Sequence, residues 1–170
     1  VASRSFAYIG VTAFETVAGG SKDLQSLAGQ LNGLTPAPQR EAGKTYDEAL
    51  TLHAAMTHAA HSFFGNTGPT GQRALAALEK KLHAELAAGL PADVIERSEA
   101  QGLAVAAHII SWSATDGGAV IENMGFPMAY DLVAGPGKWV PTSTVAQQQK
   151  PLLPGWGKVR TFAMPQGNSC

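Results

Sequence analysis

Thr45-Tyr46-Asp47-Glu48-Ala49-Leu50-Thr51-Leu52-His53-Ala54-Ala55-Met56-Thr57-His58-Ala59-Ala60-His61-Ser62-Phe63-Phe64 combines a helix start signal with an apolar period of helical spacing. Thr45 with Glu48 makes a capping box and predicts a helix over roughly 46–64. Leu52, Met56, Ala59 and Phe63 recur at helical spacing and give that helix its apolar stripe. Phe64-Gly65-Asn66-Thr67-Gly68-Pro69 is a turn that ends it. Beyond the turn, Leu75, Leu78, Leu82 and Leu86 at spacings of three and four predict a further helix over about 70–88. Its other face carries Glu79, Lys80, Lys81 and Glu85, a solvated face that needs no partner. Gly89 closes it.

Leu90-Pro91-Ala92-Asp93 opens another helix, reaching to about 114. Val94, Leu103, Ala107 and Ile110 face one way, Gly102 and Ala106 make a second smooth strip, and Trp112 marks a buried end. A helix apolar on two sides is a central one. Thr115-Asp116-Gly117-Gly118 breaks it, with a short helical turn expected near 119–123. Upstream, residues 2–18 form the first helix of the chain. Phe6, Gly10, Ala13 with Phe14, and Val17 are its apolar stripe, Ser3 or Ser5 its cap, and Gly19-Gly20 its end. The connection over 19–45 holds Leu24, Leu27, Leu31 and Leu34. Leu27 and Leu31 are expected in one or two helical turns, and Pro36-Ala37-Pro38 forces an extended path. Arg40, Glu41 and Lys44 read as a solvated loop.

No segment shows the strict alternation of a sheet, so the class is all-α: about four main helices, then a long irregular arm. The arm contains Gly135-Pro136-Gly137-Lys138-Trp139-Val140-Pro141-Thr142, and later Leu152-Leu153-Pro154-Gly155-Trp156-Gly157-Lys158-Val159-Arg160-Thr161-Phe162. Proline presets φ, and tryptophans are large apolar anchors, so an arm of this kind is expected to be pinned on a helical body. Trp139, Trp156, Arg160 and Phe162 are the residues expected to fix it, with Trp156 the deepest. The expected division is a helical scaffold over 1–118 and the arm over 119–170.

Composition bounds the function. A hydrophobic content of 45% in 170 residues supplies one ordinary core, whereas 15% charged is low and leaves helix surface to face other helices or another chain. Twelve Lys and Arg against 13 Asp and Glu give a net charge of −1, so no basic field advertises nucleic acid. No apolar run approaches the ~20 residues that cross a bilayer. The chain starts at Val1 and enters a helix almost at once, which leads us to expect residues upstream. One cysteine, Cys170, makes no internal disulfide.

The candidate chemistry is thin. His58 and His61 lie three apart on one helix, with His53 within about 80° of His61 at 100° per residue. Two imidazoles on one face could bind zinc. No His-Glu-x-x-His is present, however, and no acidic or thiol ligand lies within a turn, so these read as surface or interface histidines. His83 reads as exposed and His108 as a satisfied core histidine. No Gly-x-Ser-x-Gly and no phosphate-cradling Gly-x-x-x-x-Gly-Lys-Ser/Thr occurs. Gly117-Gly118 and Gly135-x-Gly137 lack the helix such loops need. Asp47-Glu48, Glu96 with Glu99, and Asp116 read as caps or solvated groups.

The pair Pro136-Gly137-Lys138-Trp139-Val140-Pro141-Thr142 and Pro154-Gly155-Trp156-Gly157-Lys158-Val159-Arg160-Thr161-Phe162 resembles a segment of bacterial vanadium-dependent haloperoxidase-like proteins. These belong to the superfamily of the phosphatidic-acid-phosphatase-type acid phosphatases. Ala2-Ser3-Arg4-Ser5-Phe6-Ala7-Tyr8 and Ser26-Leu27-Ala28-Gly29-Gln30-Leu31-Asn32-Gly33-Leu34 extend the resemblance over nearly the whole chain. It implies that the segment joins an N-terminal helical half to a C-terminal half holding the oxyanion pocket. That pocket converges a Lys and an Arg from one helix, a Ser-Gly-His turn, and a later Arg followed by a His on one tetrahedral anion. None of these motifs stands in this sequence, and Lys158-Val159-Arg160 does not match their spacing.

No catalytic, cofactor-binding or metal-binding residue is therefore assigned to the chain. The resemblance implies vanadate, or phosphate as substrate, in a missing half. It implies peroxide-driven halide oxidation or phosphomonoester hydrolysis there, and an extracytoplasmic location. Cys170 reads as a fortuitous thiol, and the resemblance adds the alternative of a disulfide to a residue outside the chain. The partner implied is the C-terminal half of the same protein, covalent or separate, with a homo-oligomer also open. A stand-alone, non-catalytic helical interaction module is the alternative.

Overall fold

Helices α1 (Ala2–Ala18), α2 (Glu48–Phe63), α3 (Pro69–Leu86) and α4 (Ala92–Ala114) follow one another in the computed structural model, which describes residues 2–119, 131–145, 151 and 155–165. Among these residues there is no strand, only an isolated bridge between Ala28 and Leu31, so the expected all-α class holds. The chain divides into two units, Val1–Trp112 and Ser113–Cys170.

Helix ends follow local chemistry. α2 is capped by Asp47, whose Oδ1 accepts from the Leu50 N–H at 2.8 Å. The expected capping box of Thr45 and Glu48 does not form. Glu48 instead receives both terminal nitrogens of Arg40, at 2.5 and 2.6 Å, and a bidentate ion pair outcompetes a lone backbone N–H. Gly68 precedes Pro69 at the start of α3, where the missing N–H of proline costs nothing. Ser3 and Ser5 both lie inside α1, so neither caps it, and Ser5 is buried. Leu27 to Leu31 make a single hydrogen-bonded turn rather than a helix. Leu34 is buried and Leu24 is exposed.

α1 faces opposite to the expectation. Its buried side is Arg4, Ser5, Tyr8, Val11, Thr12, Glu15 and Thr16, and the stripe of Phe6, Gly10 and Val17 points outward. The polar residues enter the core because each is satisfied there. Thr12 Oγ1 donates to the Tyr8 carbonyl at 2.9 Å and Thr16 Oγ1 to the Thr12 carbonyl at 2.7 Å, which leaves only their methyl groups to pack. Glu15 accepts from Ser26 Oγ and from the Leu27 N–H, both at 2.7 Å, and so ties the following loop to α1. Glu15→Ala would strip both donors of their acceptor. We expect it to destabilise the fold by about 1–3 kcal/mol in urea denaturation. A loss below about 0.5 kcal/mol would show that water replaces the carboxylate fully.

The centre of the first unit is built on small residues of α2 and α4. Leu50, Thr51, Ala55 and Ala59 are the buried line of α2, while Leu52, Met56 and Phe63 of the expected stripe are only half-buried. On α4 the buried line is Val94, Ser98, Gly102, Val105, Ala106, Ile109 and Trp112. The Gly102–Ala106 strip is thus the inward one, whereas Leu103 and Ala107 of the other expected stripe are exposed. A β-carbon on Gly102 would press on the Thr51 carbonyl and lie 2.9 Å from both Ala54 Cβ and Ala55 N. Such proximity leaves no room for larger side chains at the crossing. Trp112 ends this line as expected, its indole N–H donating to the Asn32 carbonyl at 3.1 Å. α3 buries no residue fully: Leu75, Leu82 and Leu86 are half-buried and Leu78 is 53% exposed.

In the second unit, Asp116 Oδ1 accepts from the N–H groups of Gly118 and Ala119 at 2.6 and 3.2 Å. Of the helical turn expected near 119–123, all but Ala119 lies outside the described residues, as does Cys170. Arg160 anchors its segment twice. Its N–H donates to the Asp116 carbonyl at 2.8 Å and its Nη1 to Thr115 Oγ1 at 2.9 Å. Trp139 is no anchor, being 47% exposed. The turn from Gly135 to Lys138 closes its own hydrogen bond, so its tryptophan needs no core to hold the loop. Trp156 opens a short 3-10 helix, Trp156–Lys158, and is half-buried rather than deep, as is Phe162. Full burial would make Trp156→Ala cost about 3–5 kcal/mol. At half burial we expect about 1–2 kcal/mol in thermal or chemical unfolding.

Candidate functional site

A cleft of ≈ 560 Å³ lies between α2, α3 and α4. Four of the five histidines line it, which helical periodicity explains: His53, His58 and His61 share a broad side of α2, and His83 comes across from α3. Glu79, Lys80, Glu96 and Glu99 supply its charges. His61 Nε2 meets Glu79 Oε2 at 2.9 Å, and His83 Nε2 meets Glu99 Oε1 at 2.5 Å. The His53 and His83 rings are 6.4 Å apart, centroid to centroid.

His61 and His83 are exposed, as surface histidines, and His53 and His58 are half-buried. Among the described residues no three His, Cys, Asp or Glu side chains converge closely enough to hold a metal ion. His108 is satisfied as expected, with Nε2 2.9 Å from the Thr35 carbonyl, but it is half-buried on the side of α4 that meets the loop after α1 rather than in the core. Sequence spacing shows that His58 and His61 share a face. The glutamate partners, 16 and 18 residues away on other helices, carry no local signal.

The cleft is not an oxyanion pocket. Three glutamates face it against one lysine, and a tetrahedral anion needs converging cations and N–H donors. The arginines that could supply them are engaged separately. Arg40 binds Glu48, which holds its guanidinium pKa above the ordinary value. Arg97 reaches Asp93 at 2.7 Å and the Thr45 carbonyl at 2.7 Å. The Arg97 hydrogen bond keeps the Asp93 carboxyl below its ordinary pKa. Arg73 donates to Thr70, Arg160 to Thr115, and Arg4 lies 4.8 Å over the Tyr8 ring. Every described lysine is exposed. The donors present here do not fit vanadate or phosphate.

The sequence matches no protein-family model and no curated protein. Among solved structures it is similar to the first bacterial vanadium-dependent iodoperoxidase, at 32% sequence identity and a TM-score of 0.72. The match covers 96% of this chain and 37% of that one, so the chain spans little more than a third of the length of that relative. No described helix is long and apolar enough to cross a membrane. In sequence and in fold, the chain is vanadium-haloperoxidase-like over a part of such a protein.

Proposed function

We propose that the chain is the scaffold part of a vanadium-dependent haloperoxidase-like protein, or of a related acid phosphatase, whose anion site is built by residues outside these 170. The observation that carries this reading is the match over 96% of the chain to 37% of an iodoperoxidase, together with arginines that are each engaged in a different place. The chemistry supplied by vanadate in such a protein would be peroxide-driven oxidation of halide. In a phosphatase the same kind of pocket would bind the phosphoryl group of a monoester. Residues of this chain would hold helices in place for that pocket and touch neither anion. Location outside the cytoplasm belongs to the same reading.

The test is vanadate and phosphate titration followed by vanadium-51 or phosphorus-31 NMR, beside halogenation and phosphatase assays. The 170-residue chain is expected to bind neither anion and to be inactive in both assays. The product of the complete reading frame is expected to bind vanadate and to be active in one of them. Tight vanadate binding by the 170 residues unaided would overturn the proposal. A reading frame that encodes nothing further would leave the stand-alone helical module as the better reading.

A further inference from the structure

α1 turns both of its charged side chains, Arg4 and Glu15, into the fold, and its outward face carries no charge. On that face stand Phe6, 64% exposed, Gly10, with open space around its Cα, and Val17, 41% exposed. α2 continues the surface. The Phe6 ring packs 5.4 Å from Phe64 just beyond the end of α2, and at the opposite end a shallow groove of ≈ 400 Å³ lies between Val17, Ala49 and Leu52, with Glu48 at its edge. The two helices therefore run antiparallel, and the apolar features mark both ends of a face roughly 25 Å long at 1.5 Å per residue.

A helix on the surface of a folded domain ordinarily shows its polar side to water, and this one does the reverse. Burying Glu15 and two threonines while leaving Phe6 and Val17 in solvent makes sense if the outer face is itself covered. We propose that the α1–α2 face is the docking surface for the rest of a longer haloperoxidase-like polypeptide, which it receives as an apolar helix laid along α1. The inference rests on the scaffold reading above. Two observations select this occupant. The related iodoperoxidase has well over half of its chain outside the match, and that chain must pack on something. The α1 side of this face carries no charge, and the Glu48 carboxylate at its edge is already paired with Arg40, which suits the permanent, apolar contact of one folded protein better than the polar rim of a transient partner.

Carbene footprinting with residue-level mass spectrometry tests it on the protein as it exists, comparing the 170-residue chain with the product of the complete reading frame. Labelling of Phe6 and Val17 is expected to fall at least fivefold in the longer protein, with Leu78 and Leu103, exposed on α3 and α4, unchanged. Equal labelling of Phe6 and Val17 in both proteins, or protection of Leu78 and Leu103 instead, overturns the docking face while the scaffold reading stands. A reading frame with no further residues sinks both. Concentration-dependent protection of Phe6 and Val17 in the 170-residue chain alone assigns the face to a second copy and overturns the proposal.

Discussion

Tyr8→Ala is expected to lower the free energy of unfolding by about 3–5 kcal/mol, the range for removing a large buried aromatic side chain. Tyr8 is fully buried in the middle of α1. Its ring stacks on Phe63 of α2 at 5.7 Å and 9°, and meets Trp112 of α4 edge-on at 5.0 Å and 79°. Arg4 covers it from the preceding turn. One side chain thus joins three helices, and aromatic pairs of this geometry add to plain burial. Tyr8→Phe keeps the ring and is expected to lose less than about 1.5 kcal/mol. Urea unfolding followed by circular dichroism measures both. A loss below about 1 kcal/mol for Tyr8→Ala would mean that the cavity collapses at almost no cost and that these ring contacts are incidental.

Gly102→Ala is the second large effect, and its sign makes it informative. In a helix interior with free space, Gly→Ala stabilises by about 1 kcal/mol. At Gly102 the added methyl would press on the Thr51 carbonyl, Ala54 and Ala55, which are backbone or rigidly placed atoms that cannot swing away. α2 and α4 must then separate, and overpacking of this kind costs about 3 kcal/mol. Gly10→Ala in α1 serves as the internal control, because nothing lies within 4 Å of the new carbon. If both substitutions shift the melting temperature in the same direction, the helices do not cross as closely as described.

The end of α2, both ends of α3 and the start of α4 were legible because glycine and proline punctuate them. Gly65 to Pro69 and Gly89 to Pro91 mark boundaries whatever packs nearby. The Gly102–Ala106 strip was legible as a smooth surface. The face of α1 was not. Apolar periodicity selected Phe6, Gly10 and Val17, whereas the true core side depends on threonines that bond their own helix and on a glutamate whose donors lie in a loop 11 and 12 residues away. Tertiary partners make a polar residue suitable for burial, and a single helix read alone cannot show them. The same holds for Trp139, since proline and glycine around an aromatic ring fix the local turn but not what lies against it. The cleft histidines were recognised as a group, but the glutamates that pair with them arrive from α3 and α4.

α3 has a different standing from its neighbours. With no fully buried side chain, it rests on a half-covered row of leucines and on two solvent-accessible imidazole–carboxylate contacts, each worth at most about 1 kcal/mol. The ladder of amide protons in this helix should therefore exchange with deuterium well before those of α2, through partial openings that leave the remaining helices intact. A protease added to the folded protein would find its earliest substrate in the glycine-bearing bends on either side of that helix.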